Sequence, residues 1–174
     1  MLMTTEKIDL IIVRGAPAVG KSSLGRRIKK EFPEGFVVEV DDVRGMINSV
    51  KWVHKEEHLN ALNATESLVK SYLKAGYNPA IVIDTFNPTK LKWFTEKFRD
   101  NNFVVISLFA NNEVLENRLT NREKGFKDWD MTKILNDEVE KYRHEKEILI
   151  DTSELDKEQV VQKFIQAISQ NKNV

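Results

Sequence analysis

The chain has 174 residues, 41% hydrophobic and 31% charged, the balance of an ordinary folded globular domain. Lys and Arg together number 27, as do Asp and Glu, so the formal net charge is zero, which argues against a protein that holds nucleic acid by bulk electrostatics but leaves room for a local basic groove. There is no cysteine, which excludes disulfides, thiol catalysis and thiolate metal sites. Residues 1–7 are too polar and too short for a secretory signal. No apolar run approaches the roughly 20 residues needed to cross a bilayer, so a cytoplasmic location is expected.

Residues 8–13 form a short apolar run with one acid, Asp9, and predict a buried strand. Residues 15–20 follow as a tight loop, and 21–31 have helical character up to the turn signal Phe32-Pro33-Glu34-Gly35. Residues 36–40 predict a second strand, in which Glu39 marks an edge or half-exposed position. A helical stretch is expected from Val43, breaking around 49–53. Over 56–75, Leu59, Leu62, Leu68, Val69, Tyr72 and Leu73 recur at helical spacing, with Gly76 as the C-cap. Residues 79–83 predict a third strand closed by Asp84, and 88–100 a helix opened by Pro88. A fourth strand at 103–109, a helix at 113–121, a polar loop at 123–130, a charged helix at 131–145, a fifth strand at 148–150 and a last helix at 157–168 complete the chain. No repeat, low-complexity tract or linker divides it, so a single domain over 1–174 is expected. Strands alternating with helices predict an α/β fold with a parallel sheet covered on both faces, whose ligands bind beyond the carboxyl ends of the strands. Gly15, Asp41 and Asp84 fall at those ends.

Gly15-Ala16-Pro17-Ala18-Val19-Gly20-Lys21-Ser22 matches GxxxxGK[ST] completely, between an apolar strand and a helix. Such a loop turns its backbone N–H groups inward onto phosphate oxygens and adds the positive end of the following helix. Lys21 is placed to reach the β- and γ-phosphates and Ser22 to ligate Mg²⁺, with Ser23 beside them. A glycine-rich turn of another α/β fold is the alternative, but a dinucleotide site needs GxGxxG, and position 17 is Pro17.

The second strand leads into Asp41-Asp42-Val43-Arg44. Phosphoryl transfer to a hydroxyl needs a carboxylate near the acceptor and a cation for the acceptor's own charge or the migrating group. Asp41 facing the site, with Asp42 as a helix cap, fits that need; an N-capping Asp with a solvated arginine is the alternative. Asp84 ends an apolar strand, where a carboxylate holds Mg²⁺ through water or braces the acceptor, or else satisfies the turn through Asn87-Pro88. Thr85 and Asn87 are further candidates for the acceptor pocket. Arg118 and Arg122, four apart, share a helix face, which a merely solvated charged helix would also show.

The elements GAPAVGKSS, DDVR, IVIDTFNP and ENRLTNREKG, in this order over roughly residues 8–150, resemble the P-loop kinases related to bacteriophage polynucleotide kinase, whose wider relatives include zeta toxins and chloramphenicol phosphotransferase. The resemblance implies a three-layer α/β/α P-loop NTPase fold with a five-stranded parallel sheet and a small helical lid at about 118–131. It further implies ATP with Mg²⁺, transfer of the γ-phosphate to a hydroxyl, a catalytic acid at Asp41, an acceptor-side contact at Arg44, a site carboxylate at Asp84, and lid arginines at Arg118 and Arg122 closing on the phosphates, with Gly125 as hinge. Bifunctional polynucleotide kinases carry a phosphatase domain after the kinase, for which this length leaves no room. The expected acceptor therefore stands between a nucleic-acid 5′-hydroxyl and a small metabolite, antibiotic or sugar nucleotide. A regulatory NTPase without an acceptor is the reading of another class.

Weaker signals remain. Trp52 sits among Lys51, His54, Lys55 and His58, and is expected to pack under a helix rather than touch substrate. His54 and His58 have metal-compatible spacing but no third ligand, so a solvated pair is expected. Trp93, Phe94 and Phe98 are candidate core residues, Asp128-Trp129-Asp130 a candidate cap, and 137–147 a solvated face.

Overall fold

A computed structural model of the chain describes residues 7–52 and 54–171. Its elements, in order, are β1 (Leu10–Gly15), α1 (Lys21–Ile28) running into a 3-10 turn (Lys29–Glu31), β2 (Phe36–Glu39), α2 (Val40–Gly45), α3 (Lys55–Lys74), β3 (Ala80–Ile83), α4 (Pro88–Lys97), β4 (Phe103–Phe109), α5 (Asn112–Thr120), α6 (Trp129–Lys141), β5 (Glu147–Asp151) and α7 (Lys157–Asn171). The five strands pair in parallel in the order β2-β3-β1-β4-β5. Central β1 sets the register, with Leu10 opposite both Ala80 and Phe103.

All six β1 residues are buried because the sheet is covered on both faces, which is why the strand reads as an unbroken apolar run rather than an alternating one. Ile11 and Val13 pack with Leu24 and Ile28 of α1 and Phe164 of α7 on one face; Leu10 and Ile12 pack with Leu62 of α3 and Phe94 of α4 on the other. Each such fully buried aliphatic side chain contributes roughly 1.5–3 kcal/mol relative to exposure. Phe94 and Phe98 are core residues as expected, with Trp93 partly buried against them. Among the described residues no helix is long and apolar enough to cross a membrane.

The expected strands and helices are present, with instructive shifts at their ends. β2, at the sheet edge and half-buried throughout, stops at Glu39, and α2 starts at once with the buried Val40. Asp41 and Asp42 therefore lie inside the first helical turn, where their charges favour the positive end of the helix dipole, and the N-cap is Glu39 without a side-chain capping bond, not Asp42. Asn87 Oδ1 accepts from the Lys90 N–H at 3.0 Å, so Asn87 caps α4 ahead of Pro88 at N1. Asp128 Oδ1 accepts from the Met131 N–H at 2.9 Å and starts α6 two residues earlier than expected. Because α5 ends at Thr120, Arg122 lies beyond it and shares no helix face with Arg118.

The stretch 137–147 is not a solvated face throughout. The side chain of Glu147 is fully buried and its Oε1 accepts from Arg14 NH2 at 2.7 Å, Arg14 being 1% exposed. Arg14 also donates to Ser107 Oγ at 2.9 Å and to the Tyr142 carbonyl at 2.7 Å. This arginine ties β1, β4, β5 and the end of α6 together directly beneath the loop that follows β1.

Candidate functional site

Beyond β1, Gly15 must be glycine because a Cβ there would stand 2.4 Å from the Leu108 carbonyl oxygen of β4. The loop continues through buried Ala16, half-buried Pro17, left-handed Ala18 at φ 66°, buried Val19, and Gly20, which N-caps α1. Lys21 Nζ donates to the Gly15 and Ala16 carbonyls, each at 2.8 Å. The exposed Ser22 hydroxyl donates to Glu39 Oε2 at 2.6 Å. Ser23 Oγ instead accepts from Arg27 NH1 at 3.0 Å along α1.

Burial lowers the Lys21 ammonium to about 8, against the opposing pull of Asp84, Asp41 and Glu39, while the positive Arg122 adds to the lowering. These five residues thus share one field at the carboxyl ends of β1, β2 and β3. Asp41 is raised above the ordinary carboxylate value, first by burial and then by Asp84, with His58, Lys21 and Arg44 opposing. Its residue as a whole is exposed to solvent. Asp84 is 6% exposed. Burial alone would raise it, but the hydrogen bond and charge of His58, the Thr85 backbone N–H and Lys90 together hold it below the ordinary value.

Lys21, Asp41, Asp84 and Arg122 act on one another's charge, Ser22 follows Lys21 at the start of α1, and two other candidates are set differently. Arg44 is 6% exposed; its NH2 donates to the Lys51 and His54 carbonyls at 2.9 and 3.0 Å, and its guanidinium lies 5.0 Å from the Trp52 ring centroid. Arg118 donates to Thr152 Oγ1 at 3.0 Å and to the Thr152 carbonyl at 2.7 Å, while the Thr152 hydroxyl has the Phe109 carbonyl at 3.0 Å and the Val19 carbonyl at 3.3 Å as alternative acceptors. Arg118 therefore ties α5 to the residue after β5, which lies beside the end of β4 and the phosphate loop. Arg122 NH1 donates to the Phe126 carbonyl at 3.3 Å inside the 121–128 turn.

Two expectations fail. His58 is not solvated: its side chain is 12% exposed, and its Nε2 lies 3.0 Å from Asp84 Oδ2. Trp52 does not pack under a helix; it is 53% exposed and covers Arg44. Sequence reasoning also missed Glu39, Lys90 and Thr152. Glu39 had a visible signal, a carboxylate at the end of the strand preceding DDVR. His58 and Lys90 had none, since their meeting depends on how α3 and α4 cross β3.

Among the described residues no three His, Asp or Glu side chains form an all-protein metal cage. Mg²⁺ needs none, since it keeps several waters and takes one or two protein oxygens beside substrate phosphates. The Ser22 hydroxyl and Glu39 carboxylate, adjacent and hard, suit it, with Asp84 acting on the same Lys21.

A family model described as an AAA domain matches residues 10–143. The α/β P-loop kinase fold is shared with a gluconokinase from Sinorhizobium meliloti 1021 at 16% identity and TM-score 0.67, over 97% of this chain and 96% of that one. It is shared with a tunicamycin resistance protein from Deinococcus radiodurans at 16% identity and TM-score 0.66, over 93% and 96%. A shikimate kinase from Acinetobacter baumannii in complex with shikimate is 18% identical at TM-score 0.63, over 96% of each chain. No curated protein matches the chain in sequence.

Proposed function

The chain belongs to the AAA domain family, and from that premise we propose that it is a single-domain, cytoplasmic, ATP-dependent kinase that transfers the γ-phosphate to a hydroxyl of its acceptor. The observation that carries this is an exposed Asp41 whose charge acts on Lys21 of the phosphate loop and is itself acted on by Asp84. A nucleotide switch needs the loop and a metal-side carboxylate but has no use for an exposed acid acting on the lysine.

In this reading residues 15–23 cradle the triphosphate with their backbone N–H groups. Lys21 leaves the Gly15 and Ala16 carbonyls to meet the β- and γ-phosphates. Ser22 and Asp84, with Glu39, would hold Mg²⁺, which would supply positive charge on the phosphate side of the site. Asp41 accepts the proton as the acceptor oxygen bonds to the γ-phosphorus and the bond to the β,γ-bridging oxygen breaks, releasing ADP. Its raised affinity for a proton makes it a better base than an ordinary carboxylate. Arg122 stabilises charge on the moving phosphoryl group, and Arg118 acts through Thr152 on the loop. Arg44 orders the segment that walls the acceptor side.

Asp41→Asn tests the reading: transfer should fall at least about a thousandfold, with ATP affinity changed less than about threefold. Transfer near the wild-type rate, assayed with labelled ATP against oligonucleotides and hydroxylated metabolites, would remove Asp41 as the base. Wild-type ATP consumption indifferent to every acceptor would favour the acceptor-free NTPase.

A further inference from the structure

Arg14 immediately precedes Gly15, the first residue of the phosphate loop, and lies opposite Ser107 of β4. Every nitrogen of its buried guanidinium has an acceptor. Nε donates to Ser107 Oγ at 2.9 Å, and NH2 donates to Glu147 Oε1 at 2.7 Å. NH2 also donates to the Tyr142 carbonyl at 2.7 Å, with the Val139 carbonyl at 3.4 Å, and NH1 donates to the Phe86 carbonyl at 3.5 Å. Glu147 accounts for the charge but not for the three carbonyls. A buried ion pair is often no more stable than apolar residues of the same volume, so stability alone gives no reason for an arginine here. The carbonyls do.

Two of them end α6. The last bond of that helix runs from the Tyr142 N–H to the Glu138 carbonyl, so the carbonyls after it look to outside donors and favour a cation. The middle of α6 is held by Asn136, 3% exposed, whose side chain donates to the Ala110 carbonyl at 2.8 Å. The helix starts directly after the 121–128 turn that carries Arg122. The third carbonyl belongs to Phe86, which is 1% exposed and left-handed at φ 43°, a costly conformation for a bulky side chain. Phe86 lies between Asp84 and Asn87, the cap of α4. The Asp84 N–H donates to the Val13 carbonyl at 3.1 Å. Residues 84–86 are therefore fastened to two successive β1 residues, through the backbone at Val13 and the side chain at Arg14.

We infer that Arg14 is a positioning residue for phosphoryl transfer: it fixes the turn that carries Asp84 and the helix that follows Arg122, and so sets where those two charges stand. The transfer step rests on the kinase reading above; the clamp rests on the bonds alone. The phosphate loop is held separately, by Lys21 on the Gly15 and Ala16 carbonyls. Arg14 thus acts on turnover rather than on ATP binding. Lysine is no substitute, because one ammonium lacks the planar fork that spans Ser107, Glu147, Tyr142 and Phe86 together.

Two variants keep the test independent of folding. Arg14→Lys can still pair Glu147, and Arg14→Met with Glu147→Leu leaves no buried charge. Turnover of ATP with Mg²⁺ by the full chain, with water as the acceptor, is followed by phosphorus NMR. It should fall at least about tenfold per folded molecule in both variants. Affinity for a non-hydrolysable ATP analogue should change less than about threefold. A merely structural pair predicts the opposite, turnover that returns with the stability of the double variant. Wild-type turnover in either folded variant overturns the inference. So does an ATP affinity that falls in step with turnover, which would route the effect through the loop. Amide hydrogen exchange of the analogue-loaded proteins reads the clamp without chemistry. Protection should drop at residues 86–91 and 139–143 in both variants and hold in β1, and unchanged protection at the two segments overturns the clamp. A wild-type chain that consumes no ATP but shows this exchange pattern loses the kinase and keeps the clamp. An active wild type whose variants keep full turnover does the reverse.

Discussion

The Ser22 hydroxyl donates to Glu39 Oε2 at 2.6 Å, joining the first turn of α1 to the last residue of β2. The contact puts a carboxylate next to the one loop side chain that GxxxxGK[ST] proteins turn to Mg²⁺. Glu39→Gln preserves shape and a hydrogen bond but removes the charge. The half-saturating Mg²⁺ concentration for ATP turnover should rise about tenfold, equivalent to about 1.4 kcal/mol, with turnover at saturating Mg²⁺ reduced far less. A Mg²⁺ titration with an unmoved midpoint would make Glu39 a partner of Ser22 alone.

Lys21 predicts a pH dependence with a definite sign. Burial lowers its ammonium from 10.5 to about 8, Asp84, Asp41 and Glu39 notwithstanding. A triphosphate binds the protonated form, so ATP affinity should be level below pH 8 and fall toward tenfold per pH unit above it. Lys21→Arg keeps its charge throughout, and its affinity profile should stay flat across that range. Without nucleotide the stability effect runs the other way. Between about 8 and 10.5 the unfolded chain holds the proton that the folded one has lost, so this group adds stability as pH rises through that window. Denaturant titrations at several pH values should show the rise in the wild type and its absence in Lys21→Met.

Most of the fold was legible because its parts are local. The apolar runs of β1, β3 and β4, the GxxxxGK[ST] loop, Pro88 at the start of α4 and Gly76 after α3 each announce themselves within a few residues. The carboxyl-end acids Asp41 and Asp84 followed from the rule that parallel sheets bind ligands there. What escaped depends on contacts between distant segments. Arg14 is one residue beyond an apolar run and meets Glu147 at 133 residues' separation, which no local pattern reports. His58 reads as solvated until α3 lays it against Asp84, 26 positions away. The start of α2 was misjudged because Val40 fits a strand and a buried helix start equally well. Arg118 and Arg122 read as a pair until the helix ended between them.

The Arg14–Glu147 pair makes a separate prediction about stability. Both side chains are almost fully removed from water, and Glu147 Oε1 also accepts from Ser107 Oγ while Glu147 Oε2 accepts from the His144 N–H at 2.6 Å. Removing one charge strands the other, so Arg14→Met should cost on the order of 3–5 kcal/mol in a denaturant titration. Removing both, as Arg14→Met with Glu147→Leu, leaves no buried charge and should recover a good part of that loss. A double variant as unstable as the sum of the two single ones would show that the pair carries no coupling.

Arg118 and Arg122 should separate cleanly by what each change disturbs. Arg118→Ala removes two charge-assisted hydrogen bonds to Thr152, whose hydroxyl reaches the Val19 carbonyl. It should cost roughly 1.5–3 kcal/mol of stability and weaken ATP binding through the loosened loop. Arg122 makes one bond to the exposed 121–128 turn, so Arg122→Ala should leave the unfolding midpoint nearly unchanged while turnover falls by about a hundredfold or more. Gly125 supplies an independent handle on the same side chain. It holds φ +100°, and a Cβ there would stand 2.5 Å from Arg122 NH2. Gly125→Ala should therefore strain the turn by about 1 kcal/mol, displace the guanidinium and lower turnover in the same direction as Arg122→Ala. The decisive measurement is the ratio of turnover loss to stability loss in the three variants. It should be high for Arg122→Ala, intermediate for Gly125→Ala and low for Arg118→Ala. A high ratio at Arg118 with an intact unfolding midpoint would move the phosphoryl contact from the turn to α5.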